Sequence, residues 1–174
     1  MSVKKLPSLT FNTGEYVVCP NHGVGKFVGI TKENIAGTEL EFLVINYGKD
    51  KMIEKLPTYK ISSSGLRKIS DEKTMNDAFD TLKGKARVRK STWSRRSQEY
   101  ESKINSGNPI AVAEVIRDLY RNENIAEQSY SERQMYEKAV ERLATEVSVY
   151  NNCSLEEANK QLTDILSKAK SAQV

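Results

Sequence analysis

The run from Gly14 to Thr31, GEYVVCPNHGVGKFVGIT, decides the architecture of the first part of the chain. Glu15 to Cys19 is rich in β-branched and aromatic residues and ends at Pro20, and Asn21-His22-Gly23 then supplies a turn. From Val24 the residues alternate: Val24, Lys26, Val28 and Ile30 lie on one face of a strand, with Gly25, Phe27 and Gly29 on the other. Glycines inside a strand mark a bulge or a close backbone approach, as a strongly curved sheet requires. Working outward, Asn34 to Gly37 reads as the next turn and Leu40 to Tyr47 as an apolar strand. Gly48-Lys49-Asp50 then leads into a strand from Lys51 to Leu56, closed by Pro57, and Leu66 to Ile69 can add a last short strand. Four or five short strands with no long helix between them predict a small curled sheet or barrel, a common binding platform.

After Asp71 the hydrophobic period changes from that of strands to that of helices. Met75, Ala78, Phe79 and Leu82 recur at spacings of three and four, and Gly84 ends the pattern. Ser91 or Thr92 can cap a helix running to Ser106, Gly107 fits the position beyond its end, and Asn108-Pro109 starts the next. That helix buries Val112, Val115, Ile116 and Leu119. Ser131 with Gln134 forms a capping-box pattern ahead of Met135, Ala139, Leu143 and Val147, and Ser154 with Glu157 forms another ahead of Ala158, Leu162, Ile165 and Leu166. The ending from Lys170 is expected to fray. The expected architecture is therefore α+β in two domains: residues 1–70 as a β domain, and residues 71–174 as a compact bundle of about five helices. Two small cores also suit the composition of the 174 residues, 38% of them hydrophobic, which is thin for one compact globule.

The net charge of +4 hides an uneven distribution. Residues 82–103 hold eight basic side chains and only two acidic ones, Glu99 and Glu101, while the helical remainder is acidic. No apolar run approaches the ~20 residues of a membrane helix, and the first ten residues lack the apolar stretch of a signal peptide. Cys19, Cys153 and the single His22 provide neither a disulfide framework nor a metal-ligand spacing. A Ser-His-Asp triad would have to use His22, which lies in a turn, and there is no phosphate loop. The expectation is a cytoplasmic protein that is not an enzyme, with no cofactor, metal, small-molecule substrate or membrane partner.

The basic segment RVRKSTWSRRSQEY, Arg87 to Tyr100, holds the one tryptophan. Lys and Arg gain affinity for phosphates through counterion release, and an aromatic side chain can stack on bases or wedge between them. On a helix starting near Thr92, Arg96 and Tyr100 share a face with Trp93, while Arg95 points a quarter-turn or more away. Pattern alone leaves two readings open: Trp93 as a wedge beside guanidinium groups, or Trp93 as a core residue beneath a solvated basic face.

The run Gly14 to Gly25 resembles the opening of CarD/CdnL-type bacterial transcription regulators, whose first domain is shared with the transcription-repair coupling factor. Thr92-Trp-Ser-Arg-Arg96 with Tyr100, Gly107, Val112 to Tyr120 and Ser131 to Ala139 resemble the family's second domain. The similarity covers about residues 11–168, in order. It implies a Tudor-like β domain that docks on the RNA polymerase β subunit and a helical domain that contacts promoter DNA, at the nucleoid. Carried over, Trp93 is a minor-groove wedge at the upstream edge of the transcription bubble, stabilising the open complex, and Arg95 and Arg96 are phosphate contacts. Arg89 and Lys90 are DNA-binding candidates from charge. The polymerase contact maps onto Glu33, Asn34, Ile53, Glu54 and Lys55. Thr92 stands where the family commonly has Asn and still offers a capping oxygen, and Tyr120 stands where relatives often carry Trp. The competing functions are a stand-alone DNA- or RNA-binding protein and an interaction adaptor with a core tryptophan.

Overall fold

The computed structural model describes residues 11–48, 51–87, 90–121 and 128–173. Two compact units divide between Ile69 and Ser70.

The first unit is an antiparallel sheet of β1 (Tyr16–Cys19), β2 (Gly23–Ile35), β3 (Thr38–Tyr47), β4 (Met52–Pro57) and β5 (Arg67–Lys68), in the order β4-β3-β2-β1-β5. Both expectations for its glycines hold, at different positions. A Cβ on Gly25 would stand 2.5 Å from Ile45 Cγ2 and 2.8 Å from the Tyr47 ring, so the backbone passes where no side chain fits. Between Phe27, paired with Ile45, and Gly29, paired with Val44, the register slips by one residue, leaving Val28 as the extra residue of a bulge. The turn expected over Asn34 to Gly37 is present but shorter, because Asn34 and Ile35 still belong to β2. The hairpin closes on Ala36-Gly37, both at positive φ, as a two-residue turn matched to the twist of its strands requires. Alanine is an unusual occupant of that conformation. The core consists of Val17, Cys19, Phe27, Leu43, Ile45 and Tyr47, with Ile61 of a short helical segment, 3₁₀ over Thr58–Lys60 and α1 over Ile61–Ser64, packed against it.

The second unit contains α2 (Glu72–Lys83), α3 (Trp93–Ile104), α4 (Pro109–Leu119), α5 (Tyr130–Asn151) and α6 (Leu155–Ala172). Thr92, Asn108 and Ser154 cap their helices as the sequence predicts, and Asp71 caps α2, each side chain accepting a first-turn N–H. The cap of α5 is a correction: Ser129 with Glu132, not Ser131 with Gln134, forms the box. Both pairs have the right spacing, but the Glu132 carboxylate is the stronger acceptor and suits the positive end of the helix dipole. The helix α6 also stays regular to Ala172 rather than fraying from Lys170, and Gln173 beyond it donates to the carbonyl of Lys83. The five helices enclose Met75, Leu82, Ile104, Ile116, Leu143, Leu162 and Leu166, each at most 1% exposed. One buried carboxylate faces the start of the unit: Glu146 Oε1 accepts from the Ser70 N–H at 2.9 Å and from its hydroxyl at 2.6 Å. Among the described residues no helix is long and apolar enough to cross a membrane, and no group of three or more His, Cys, Asp or Glu side chains is placed to hold a metal ion.

Candidate nucleic-acid and protein interfaces

The helix α3 starts at Trp93 because Thr92 is extended and its hydroxyl accepts from the Arg95 N–H at 3.5 Å. The 3.6-residue period then sets the neighbours. The Tyr100 ring lies 6.3 Å from the indole at 52°, and the Arg96 guanidinium carbon lies 5.6 Å from the indole centroid, within cation–π range. Tyr100 is buried, and burial followed by the charge of Asp118 raises its phenol pKa. Trp93 is in between: partly buried against the helical core, it also lines an open groove of about 630 Å³ together with Met135 of α5. Neither a fully buried core indole nor a freely projecting one describes it.

Of the expected DNA-contacting cations, Arg95 and Lys90 are exposed, and neither forms an ion pair among the described residues. Arg89 lies outside the described residues. Arg96 is largely covered, its side chain 22% exposed, with Nη2 3.9 Å from Glu132 Oε1 and Nε lacking a hydrogen-bond partner. Sequence reasoning missed Glu132 as its neighbour. The signal was present in the Ser129-x-x-Glu132 capping box, which pins that carboxylate at the start of α5. The groove beside Trp93 is rimmed by Glu101, Glu137 and Glu141, with Lys138 among them.

On the sheet, strand alternation sorts the five expected polymerase-contacting residues. Glu33 pairs with Leu40, Lys55 with Val44 and Ile53 with Asn46, positions of one parity on β3, so these three share a face. Glu33 and Lys55 form an ion pair there, and Ile53 is 61% exposed. Asn34 and Glu54 pair with Glu39 and Ile45, on the opposite face. Glu54 accepts a 2.7 Å hydrogen bond from the Tyr47 hydroxyl, whose pKa is raised by burial and by this bond. The strand β4 is an outer strand of the sheet, so one side of its backbone has no strand partner among the described residues.

Comparison with known proteins agrees with this two-unit organisation. The CarD-like/TRCF RID domain matches residues 11–70, and the CarD C-terminal domain matches residues 77–163. The putative transcription factor YdeB of Bacillus subtilis (strain 168) is 29% identical over 139 residues, covering 80% of this chain and 91% of that protein. The solution NMR structure of the 72-residue N-terminal domain of Myxococcus xanthus CarD is 32% identical, over 36% of this chain and 83% of that one, with a TM-score of 0.30. The match over 11–70 accords with a Tudor-like β domain. Because the two domain models match in order and together span most of its length, this chain belongs to the CarD/CdnL family of transcription regulators, whose first domain is of a type that interacts with RNA polymerase.

Proposed function

We propose that the β unit holds this protein on the RNA polymerase β subunit while α3 presents Trp93 to promoter DNA at the upstream edge of the bubble. The observation that carries the DNA half is the clustering at one helix end: an indole that is only partly covered, a guanidinium stacked on it, and the exposed Arg95 and Lys90 within three residues. Arg95, Lys90 and the neighbouring Arg89 supply phosphate affinity. The first-turn N–H groups of α3 favour a phosphate at the same end. The acidic rim from Glu101 to Glu141 repels the DNA backbone on the α5 side, so the duplex approaches from the basic side of the helix.

Promoter opening is an equilibrium, and a protein that binds the open form better shifts it by the ratio of its two affinities. An indole inserted at an already distorted junction avoids most of the few kcal/mol per step that unstacking an intact duplex costs. Collapse of the bubble then requires its expulsion. Attachment through the β unit raises the local concentration of α3 at the promoter, so weak contacts suffice. Promoter choice follows from DNA shape and melting energetics, with no helix reading the major groove.

For the polymerase half, the face carrying Glu33, Lys55 and Ile53 adjoins the unpaired side of β4. An exposed isoleucine beside a charged pair on an outer strand suits a partner that adds a strand there and packs against the side chains. The decisive measurement is open-complex lifetime with wild type and with Trp93→Ala, after circular dichroism has shown that the variant folds. A shortened lifetime with polymerase binding retained is expected, and an unchanged lifetime overturns the wedge.

A further inference from the structure

Behind the indole, between α3, α4 and the segment after α2, lies a second cavity of about 180 Å³. Its lining is almost entirely charged. Arg87, Arg96, Lys103 and Arg117 contribute cations, and Glu99, Glu114 and Asp118 contribute carboxylates. Two of these carboxylates are bound into ion pairs: Asp118 Oδ1 accepts from Arg117 Nε at 2.8 Å and from the Arg87 N–H at 2.9 Å, and Glu114 accepts from Lys103 Nζ at 2.8 Å. Arg117 and Asp118 are themselves more than nine-tenths buried. Cations outnumber carboxylates in the lining by four to three. Burial first, then the charge of Arg121, lowers the pKa of nearby Lys170, with Arg117 adding to the effect and Asp118 opposing it.

Arg96 connects this cavity to the indole. It lines the cavity and stacks on Trp93, yet its Nε has no acceptor and its Nη2 lies beyond hydrogen-bond distance of Glu132. In this position stacking holds the guanidinium, and its hydrogen bonding is incomplete. A tetrahedral oxyanion among Arg87, Lys103 and Arg117 offers the acceptors that Arg96 lacks, in the forked geometry that guanidinium groups favour. At about 180 Å³ the cavity is smaller than the roughly 300–1,000 Å³ of sites for drug-sized molecules, so it suits a phosphate group rather than a whole nucleotide.

We propose that this cavity is a phosphate-binding site whose occupancy draws the Arg96 side chain from the Trp93 ring into the cavity. Binding there and the exposure of the indole are then coupled, and the coupling is reciprocal. The proposal needs neither polymerase nor promoter, so its failure would leave the wedge reading untouched, and the failure of the wedge would leave this site standing.

The test is titration of the full chain with inorganic phosphate, with ionic strength held constant by sodium chloride. Fluorescence reads Trp93, the one tryptophan, and ¹⁵N spectra read the arginine Nε–H signals. Saturable changes in both are expected, with the Arg96 and Arg117 side-chain signals moving together. Glu114→Gln, which releases Lys103 from its ion pair, tightens binding several-fold, a gain that a damaged fold does not imitate. Arg87→Gln weakens binding by about tenfold, the scale of one lost charge-assisted hydrogen bond. A response that follows ionic strength alone, or one that Glu114→Gln leaves unchanged, overturns the proposal. Repeating the titration with a forked duplex present identifies the source of the phosphate: competition assigns the cavity to a DNA backbone phosphate, and independent binding assigns it to a soluble phosphate compound.

Discussion

The Arg96 guanidinium stacks on the Trp93 indole, 5.6 Å from its centroid, one helical turn along α3. This contact holds the two groups proposed to meet DNA in a fixed relation before any DNA arrives. A planar guanidinium stacks where an ammonium does not, so Arg96→Lys keeps the charge and loses the arrangement. Arg96→Lys is expected to lower the thermal midpoint by only a few degrees, because an exposed or half-covered cation–π contact contributes only ~0.5–1 kcal/mol. It is also expected to shorten open-complex lifetime. Differential scanning fluorimetry and a heparin-challenge lifetime measurement check the two halves.

The face assignment of β4 separates two neighbouring residues. Ile53→Asp places a charge on the exposed face and is expected to reduce polymerase binding at least tenfold in a pull-down or interferometry titration, with the fold intact. Glu54→Gln lies on the other face and leaves that binding unchanged. Tyr47→Phe removes the hydroxyl bonded to Glu54 and destabilises the β unit by about 1–2 kcal/mol, as expected for a half-buried hydrogen bond to a charged acceptor. Urea denaturation followed by far-ultraviolet circular dichroism checks it.

Gly25→Ala is expected to destabilise the β unit by roughly 1–3 kcal/mol, the usual cost of overpacking. The methyl group would meet both Ile45 and Tyr47 in the core, and neither can withdraw without opening a void. A drop in the denaturation midpoint without a change in slope is the expected signature.

The cap of α5 gives a paired test. Ser129→Ala is expected to cost about 1 kcal/mol and Ser131→Ala close to nothing, since the Ser129 hydroxyl accepts from the Glu132 N–H and the Glu132 carboxylate accepts from the Ser129 N–H. Equal losses from the two variants would contradict the capping geometry.

What the sequence made legible was local. The Thr92 cap, the Asn108-Pro109 start and the shared face of Trp93, Arg96 and Tyr100 depend on spacings within a few residues, and all three appear in the structure. The glycine pattern of β2 likewise announced a bulge and a close approach, without saying which glycine does which. The choice between two capping boxes depended on the relative acceptor strength of Glu132 and Gln134, a difference that spacing does not record. Contacts between distant segments were not legible. That Arg96 approaches Glu132, that Glu146 receives Ser70, and that a charged cavity forms between α3 and α4 all follow from how helices pack, and no periodicity encodes it. On the sheet, alternation alone puts Glu54 and Lys55 on opposite faces, but that Glu54 shares the face of the core residue Ile45 emerges only once the register against β3 is known.

The Tyr47–Glu54 hydrogen bond has a consequence beyond stability. An outer strand can in principle slide along its neighbour, and a slip of one residue exchanges every inward side chain for an outward one. Tied to Glu54 across the β3–β4 pair, the Tyr47 hydroxyl makes such a slip cost a half-buried hydrogen bond, and so it sets the reading frame in which β4 is displayed. Any partner that reads this strand meets Ile53 and Lys55, because a tyrosine on the far side of the sheet has already chosen the frame.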